Sequence, residues 1–147
     1  MGPATRERWE NLIAKVAGIL DQEGIPYHFD GSTAVYIQGI DFEMDDADVT
    51  VKWGYLERAR EAFNRFQPSA ITSANPPSFA CHVDGLKVHV MTYESPTGLG
   101  APSDRVQVSV AGLNVWAKTV DFYRRHIGPD HPLWHSLSSS RTVRKSP

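Results

Sequence analysis

Six carboxylates fall between Asp30 and Asp48 (Asp30, Asp41, Glu43, Asp45, Asp46 and Asp48), and no Lys or Arg interrupts them. From Asp46 to Trp53 polar and apolar residues alternate with period two, the pattern of a strand with one wet face and one buried face. On such a strand Asp46 and Asp48 point the same way, about 6.6–6.8 Å apart along the backbone. Their carboxylates can then converge on one cation. Two unit charges about 4 Å apart repel by roughly 4 kcal/mol at an effective dielectric of 20, so the pair calls for water or a divalent ion. Mg²⁺ suits it, because it takes hard oxygen ligands and is held by one or two carboxylates plus substrate phosphates. A merely solvated acidic face is the other reading of the same alternation.

Asp30-Gly31-Ser32 lies between a short aromatic-rich strand and a short helix. A glycine there lets the backbone approach a ligand, while amides at a helix start and the Ser hydroxyl can meet phosphate oxygens. The alternative is an ordinary helix start with Ser32 as N-cap.

Taken together, Gly31-Ser32, thirteen intervening residues and Asp46-Ala47-Asp48-Val49 resemble the nucleotidyltransferase superfamily of the polymerase-beta type. Ala34 to Ile40 looks like the helix that such proteins place between the two motifs, and the likeness runs from about Leu12 to Tyr93. The resemblance implies that Gly31 and Ser32 contact a nucleoside triphosphate. It further implies that Asp46 and Asp48 are catalytic carboxylates holding Mg²⁺, and that a nucleoside monophosphate is passed to an acceptor. The acceptor stays open: a small molecule, a protein or RNA. The family's third carboxylate sits on a neighbouring strand, and the best match in Leu86-Lys87-Val88-His89-Val90-Met91 is His89. An imidazole can act as a base, but it lowers the site's negative charge and Mg²⁺ prefers oxygen. His89 is therefore either the third catalytic group or a polar residue on a wet strand face. The departure leaves a second expectation, a catalytically impaired module that binds a nucleotide or a partner. Two nearby acids are expected to raise the His89 pKa.

The elements that must position these residues follow from periodicity and punctuation. Trp9, Leu12, Ile13, Val16 and Leu20 mark one face of a helix from about Thr5 to Glu23, stopped by Gly24. Ile25–Phe29 reads as a strand, Thr33–Gln38 as a short helix and Asp46–Trp53 as a strand. Tyr55–Phe66 reads as a helix bounded by Pro68. Ala70–Ser73, Phe79–Val83 and Leu86–Tyr93 look like three strands, the last two joined by the hairpin dipeptide Asp84-Gly85. A loop from Ser95 to Ser103, a strand through Val106, Val108 and Val110, and a last helix over Asn114–Ile127 complete the order. The fold class is α/β (α+β): a mixed β-sheet flanked by helices, nucleotidyltransferase-like by the resemblance. Residues 1–137 are expected to form a single domain and 138–147 a flexible tail.

Composition narrows the function classes. The 147 residues carry a formal net charge of −2, so no general cationic field attracts polyanions. No apolar run approaches the roughly 20 residues that span a bilayer, and Met1-Gly2-Pro3 leads into charged residues. The expectation is a cytoplasmic protein with no membrane partner, its oligomeric state open. Cys81 is the only cysteine and reads as a small core residue. His131 and His135 have i, i+4 spacing, but Pro129 and Pro132 break the helix a zinc site would need. Arg124, Arg125 and His126 suit a helix C-terminus. Arg141, Arg144 and Lys145 form a small basic tail, and Trp53, Trp116 and Trp134 read as core or interface aromatics.

Overall fold

The computed structural model describes residues 4–41, 43–95 and 98–139. Helix α1 (Arg6–Gln22) starts at Thr5, whose hydroxyl accepts from the Arg8 amide, and buries Trp9, Leu12, Ile13, Val16, Ala17 and Leu20. Strand β1 (Tyr27–Phe29), helix α2 (Gly31–Ile37) and strand β2 (Ala47–Val51) follow. Helix α3 (Leu56–Ala62) is shorter than the expected Tyr55–Phe66, because Asn64–Phe66 tightens into a 3₁₀ turn. Strands β3 (Ser78–Val83) and β4 (Leu86–Met91) form the expected hairpin, with Asp84 and Gly85 both at positive φ, 51° and 82°. Strands β5 (Arg105–Val110) and β6 (Leu113–Lys118) form a second hairpin, followed by helices α4 (Val120–His126) and α5 (Trp134–Ser139).

The six strands make one mixed sheet in the order β3-β4-β2-β1-β6-β5, with β2–β4 and β1–β6 parallel and the remaining pairs antiparallel. Register divides the sheet into two chemically different faces. Phe29 pairs with Val49 and Ala117, Val49 pairs with Val90, Val88 with Cys81, and Val115 with Val108. These residues share one face with Tyr27, Val51, Phe79 and Val110, and all of them are buried. Helices α1 and α3 contribute their apolar residues to the same core. Each such aliphatic or aromatic side chain stabilises the fold by about 1.5–3 kcal/mol relative to exposure. The opposite face carries His28, Asp48, Thr50, Lys87, His89, Trp116 and Lys118, by the same alternation.

Three expectations are corrected. The helix expected over Asn114–Ile127 is a strand followed by a helix, because Ala111 and Gly112 take positive φ (48° and 83°) as a tight turn and Thr119 caps α4 from its own side chain. The strand expected at Ala70–Ser73 is reduced to one bridge between Thr72 and Ser78. Ser138 and Ser139, expected to open a flexible tail, close α5 instead, and residues 140–147 lie outside the described residues. Arg141, Arg144 and Lys145 lie outside the described residues, as does Met1-Gly2-Pro3. Among the described residues no helix is long and apolar enough to cross a membrane.

Candidate active site

Asp48 lies in the middle strand of the polar face, where β2 is flanked by β1 and β4. Its main chain is fixed on both sides: its N–H donates to Thr33 Oγ1 (2.8 Å), and its carbonyl accepts from the Asp30 N–H (3.0 Å). These two bonds pull the start of α2 against β2. Gly31, the first residue of α2, adopts φ +57°, a left-handed conformation that glycine takes without steric cost. A Cβ at Gly31 would lie 3.7 Å from Asp48 Oδ2, so the glycine of the first motif and the second carboxylate of the other are neighbours.

His89 pairs with Asp48 across the β2–β4 ladder, and its Nδ1 lies 3.6 Å from Asp48 Oδ1. Asp46, half-buried just before β2, adds its charge from the same face. Burial and the charges of Asp46 and Asp30 together push the Asp48 carboxyl up to about 7. The expected rise of the His89 pKa is not found. Burial, the largest influence, lowers it, and Lys87 adds to that effect against the opposing pull of Asp46. Ser32 is half-buried in the first turn of α2 and is not the cap. Asp30 caps that helix, accepting from the Gly31 N–H at 2.8 Å.

A second cluster surrounds Asp30. Its Oδ1 accepts from the Tyr123 hydroxyl of α4, and that hydroxyl also receives the Gly31 N–H (2.6 Å). Its Oδ2 accepts from Thr50 Oγ1 (3.0 Å) and lies 3.7 Å from His28 Nε2. Burial opposes the Asp30 charge, yet His28, Tyr123 and the Gly31 N–H hold its carboxyl well below the usual range. Burial also lowers the His28 pKa, outweighing the attraction of Asp30. The sequence places Asp30 in an acidic run but gives no role to His28, Thr50, Lys118 or Tyr123. Period-two alternation along β1 and β2 marks His28 and Thr50 as sharing a face, whereas no local signal points to Lys118 or Tyr123.

The remaining candidates disperse. His131 Nδ1 accepts from the Leu133 N–H, His135 is exposed, and among the described residues no group of three His, Cys, Asp or Glu is arranged to hold a metal. Arg125 is committed to Asp104 and Asp121, and His126 stacks on Phe122 at 4.2 Å. Cys81 is buried and its thiol is pushed up to about 11 by burial, which suits its reading as core. Trp53 and Trp134 are exposed and so lie outside the core, while Arg105 covers the half-buried Trp116 ring at 4.4 Å.

No family model matches the chain, and no curated protein matches its sequence. Solved structures do match it. A Thermotoga maritima protein assigned as a nucleotidyltransferase is similar with a TM-score of 0.69 and 17% identity, over 84% of each chain. The lincosamide antibiotic adenylyltransferase LnuA, solved with lincomycin bound, gives 0.63 and 12% over 95% of this chain and 99% of that one. The enzyme ANT(2'')-Ia, solved with adenylyl-2''-tobramycin, gives 0.62 and 14% over 89% and 86%. The Thermotoga maritima CCA-adding enzyme complexed with tRNA gives 0.52 and 14%, over 82% of this chain but only 31% of that larger one. Likeness at these identities carries architecture rather than activity. A mixed six-stranded sheet flanked by helices, in the arrangement these structures share, gives this chain the fold of the nucleotidyltransferase superfamily.

Proposed function

We propose that the protein transfers a nucleoside monophosphate from a nucleoside triphosphate to an acceptor hydroxyl, with Mg²⁺ held by Asp46 and Asp48. The observation that carries this reading is the meeting of Gly31, Asp48 and His89 on one face of the sheet, with His89 Nδ1 3.6 Å from Asp48 Oδ1 and a Gly31 Cβ position 3.7 Å from Asp48 Oδ2. The donor set fits Mg²⁺, since both carboxylates offer hard oxygen and the ion completes its shell with water and phosphate oxygens. Burial and neighbouring acids also penalise the Asp48 anion, a penalty that a cation relieves. When bound, Mg²⁺ neutralises charge on the transferring phosphate and polarises its oxygens.

The chain's own groups then divide the work. Gly31 puts no side chain between Asp48 and the phosphates, and the Ser32 hydroxyl donates to a phosphate oxygen. The Gly31 N–H is already held by Asp30 and Tyr123, so the anchoring of phosphate rests on Ser32. His89 takes the proton of the acceptor hydroxyl as the new O–P bond forms and the bond to pyrophosphate breaks. The acceptors in similar structures range from lincomycin to tRNA, and the acceptor here is a separate question.

A nucleotide-binding or partner-binding module without turnover is the second reading. The imidazole beside Asp48, where the family has a carboxylate, favours it. The test is incorporation of α-labelled ATP or GTP, with Mg²⁺, into a pool of small molecules, RNA and protein. Transfer that falls at least about a hundredfold in Asp48→Asn is the expected result. Mg²⁺-dependent nucleotide binding without any transfer supports the second reading, and neither binding nor transfer overturns both.

A further inference from the structure

On the polar face, a cavity of about 380 Å³ opens beside Asp30 and is lined by His28, Asp30, Thr50, Leu99, Lys118 and Phe122, among others. The volume lies within the range of small-molecule sites. Its wall adjoins the carboxylate site: Thr50 is two residues beyond Asp48 on the same strand face, about 6.6–6.8 Å along β2. The polar groups around the cavity are not saturated by the protein. His28 is 2% exposed, its Nε2 is turned to Asp30, and its buried Nδ1 has no hydrogen-bond partner. Lys118 is 9% exposed and forms no ion pair among the described residues. Its Nζ makes one long hydrogen bond, to the Leu99 carbonyl at 3.5 Å, and lies 4.5 Å from the Phe122 ring centre. An ammonium has three N–H donors, so donors remain for a ligand.

An ammonium with donors to spare in the wall of a cavity describes a ligand by its complement. Lys118 asks for a carboxylate or another anionic acceptor. His28 adds a polar edge to the same wall. Leu99 and Phe122 ask for an apolar or aromatic body beside the ammonium. We propose that this cavity is the acceptor pocket, and that the acceptor is a small, hydroxyl-bearing anion whose anionic group pairs with Lys118 and whose apolar body lies against Leu99 and Phe122. The assignment rests on the nucleotidyltransferase reading for the word acceptor, while the pocket's ligand class rests on its own residues. Asp30 also lines the cavity, but its oxygens are already engaged by Tyr123, Thr50 and the Gly31 N–H, which leaves Lys118 as the charge that selects the ligand.

The test uses two probes with one skeleton and opposite charge, 4-hydroxyphenylacetate and tyramine, titrated into the full chain and followed by NMR. The anion is expected to shift the Leu99, Lys118 and Phe122 resonances saturably in the millimolar range, with tyramine at least about tenfold weaker. Lys118→Met should abolish the preference. The wild-type comparison of the two probes decides the matter even if that variant does not fold. Equal binding of both probes, or no shift in the cavity, overturns the proposal. So does displacement of the anion by a non-hydrolysable ATP or GTP analogue, which would make the cavity a nucleoside site. Anion binding in a protein that transfers nothing would retire the enzymatic reading and leave the pocket's ligand class standing. Transfer without anion binding would do the reverse.

Discussion

Asp30 and Asp48 are carboxylates on one sheet face with opposite fates, and the difference is hydrogen bonding. Asp30 receives Tyr123, Thr50 and the Gly31 N–H and stays ionised despite burial. Asp48 has its backbone fixed but its carboxylate close to other acids, and is pushed up to about 7. Gly31, Asp46 and Asp48 stood out as candidates because they lie on one short segment that resembles a known family's motif, whereas spacing alone left a solvated acidic face and an ordinary helix start open. Spacing could not reveal Tyr123, ninety-three residues from Asp30, since no periodicity links residues on separate elements. Nor could it reveal the direction of the His89 shift: sequence shows the neighbouring acids but not the burial that outweighs them.

His28 supplies the test at this scale. Its folded-state pKa lies below the ordinary 6.5, with burial as the main cause. The unfolded chain therefore binds a proton near 6.5 while the folded protein still resists it. The stability contributed by neutral His28 is full above that value and is lost as pH falls through the folded pKa. Asp48, pushed up to about 7, acts the other way over the same window, because its folded-state carboxyl takes up a proton that the unfolded one does not. The readout is therefore a comparison: between pH 8 and pH 5 the urea midpoint of the wild type should lose more, or gain less, than that of His28→Gln. An unchanged slope in the variant would mean that His28 is not held neutral in the fold.

The elements were most legible where periodicity and turn chemistry agreed. Helix α1 and the β3–β4 hairpin emerge as expected because an uninterrupted apolar stripe and an Asp-Gly turn each admit one solution. Residues 113–123 admitted two, since Val115, Ala117, Val120 and Tyr123 satisfy a strand followed by a helix as well as one helix broken in phase. The deciding feature was Ala111-Gly112, a weaker turn signal than Asp84-Gly85 because alanine seldom adopts positive φ. At φ 48°, Ala111 bears a left-handed cost of about 1–2 kcal/mol. Asparagine is favoured at this place in such turns, so Ala111→Asn is expected to stabilise the protein by about 1 kcal/mol, read as a rise in the thermal midpoint. A fall would mean that the hairpin does not form as described. Misplacing β6 had a functional consequence, because Lys118 lies at its end and only the strand assignment brings that ammonium beside His28.

Over the whole molecule, strand order turns a sequence pattern into a site. β2 lies between β4 and β1, and β1 lies beside β6, so residues from the middle of the chain and from its last third meet on one polar face. The opposite face packs into a continuous apolar core to which α1 and α3 contribute. Substitutions on the polar face should therefore alter function with little loss of stability, provided the Asp30 network is left intact. The most direct measurement is calorimetric titration of Mg²⁺ with ATP or GTP into the wild type and into the doubly substituted Asp46→Asn, Asp48→Asn protein. Mg²⁺-dependent nucleotide binding is expected of the wild type, and its loss is expected in an equally folded variant. Equal binding by both proteins would remove the two carboxylates from the site and contradict it.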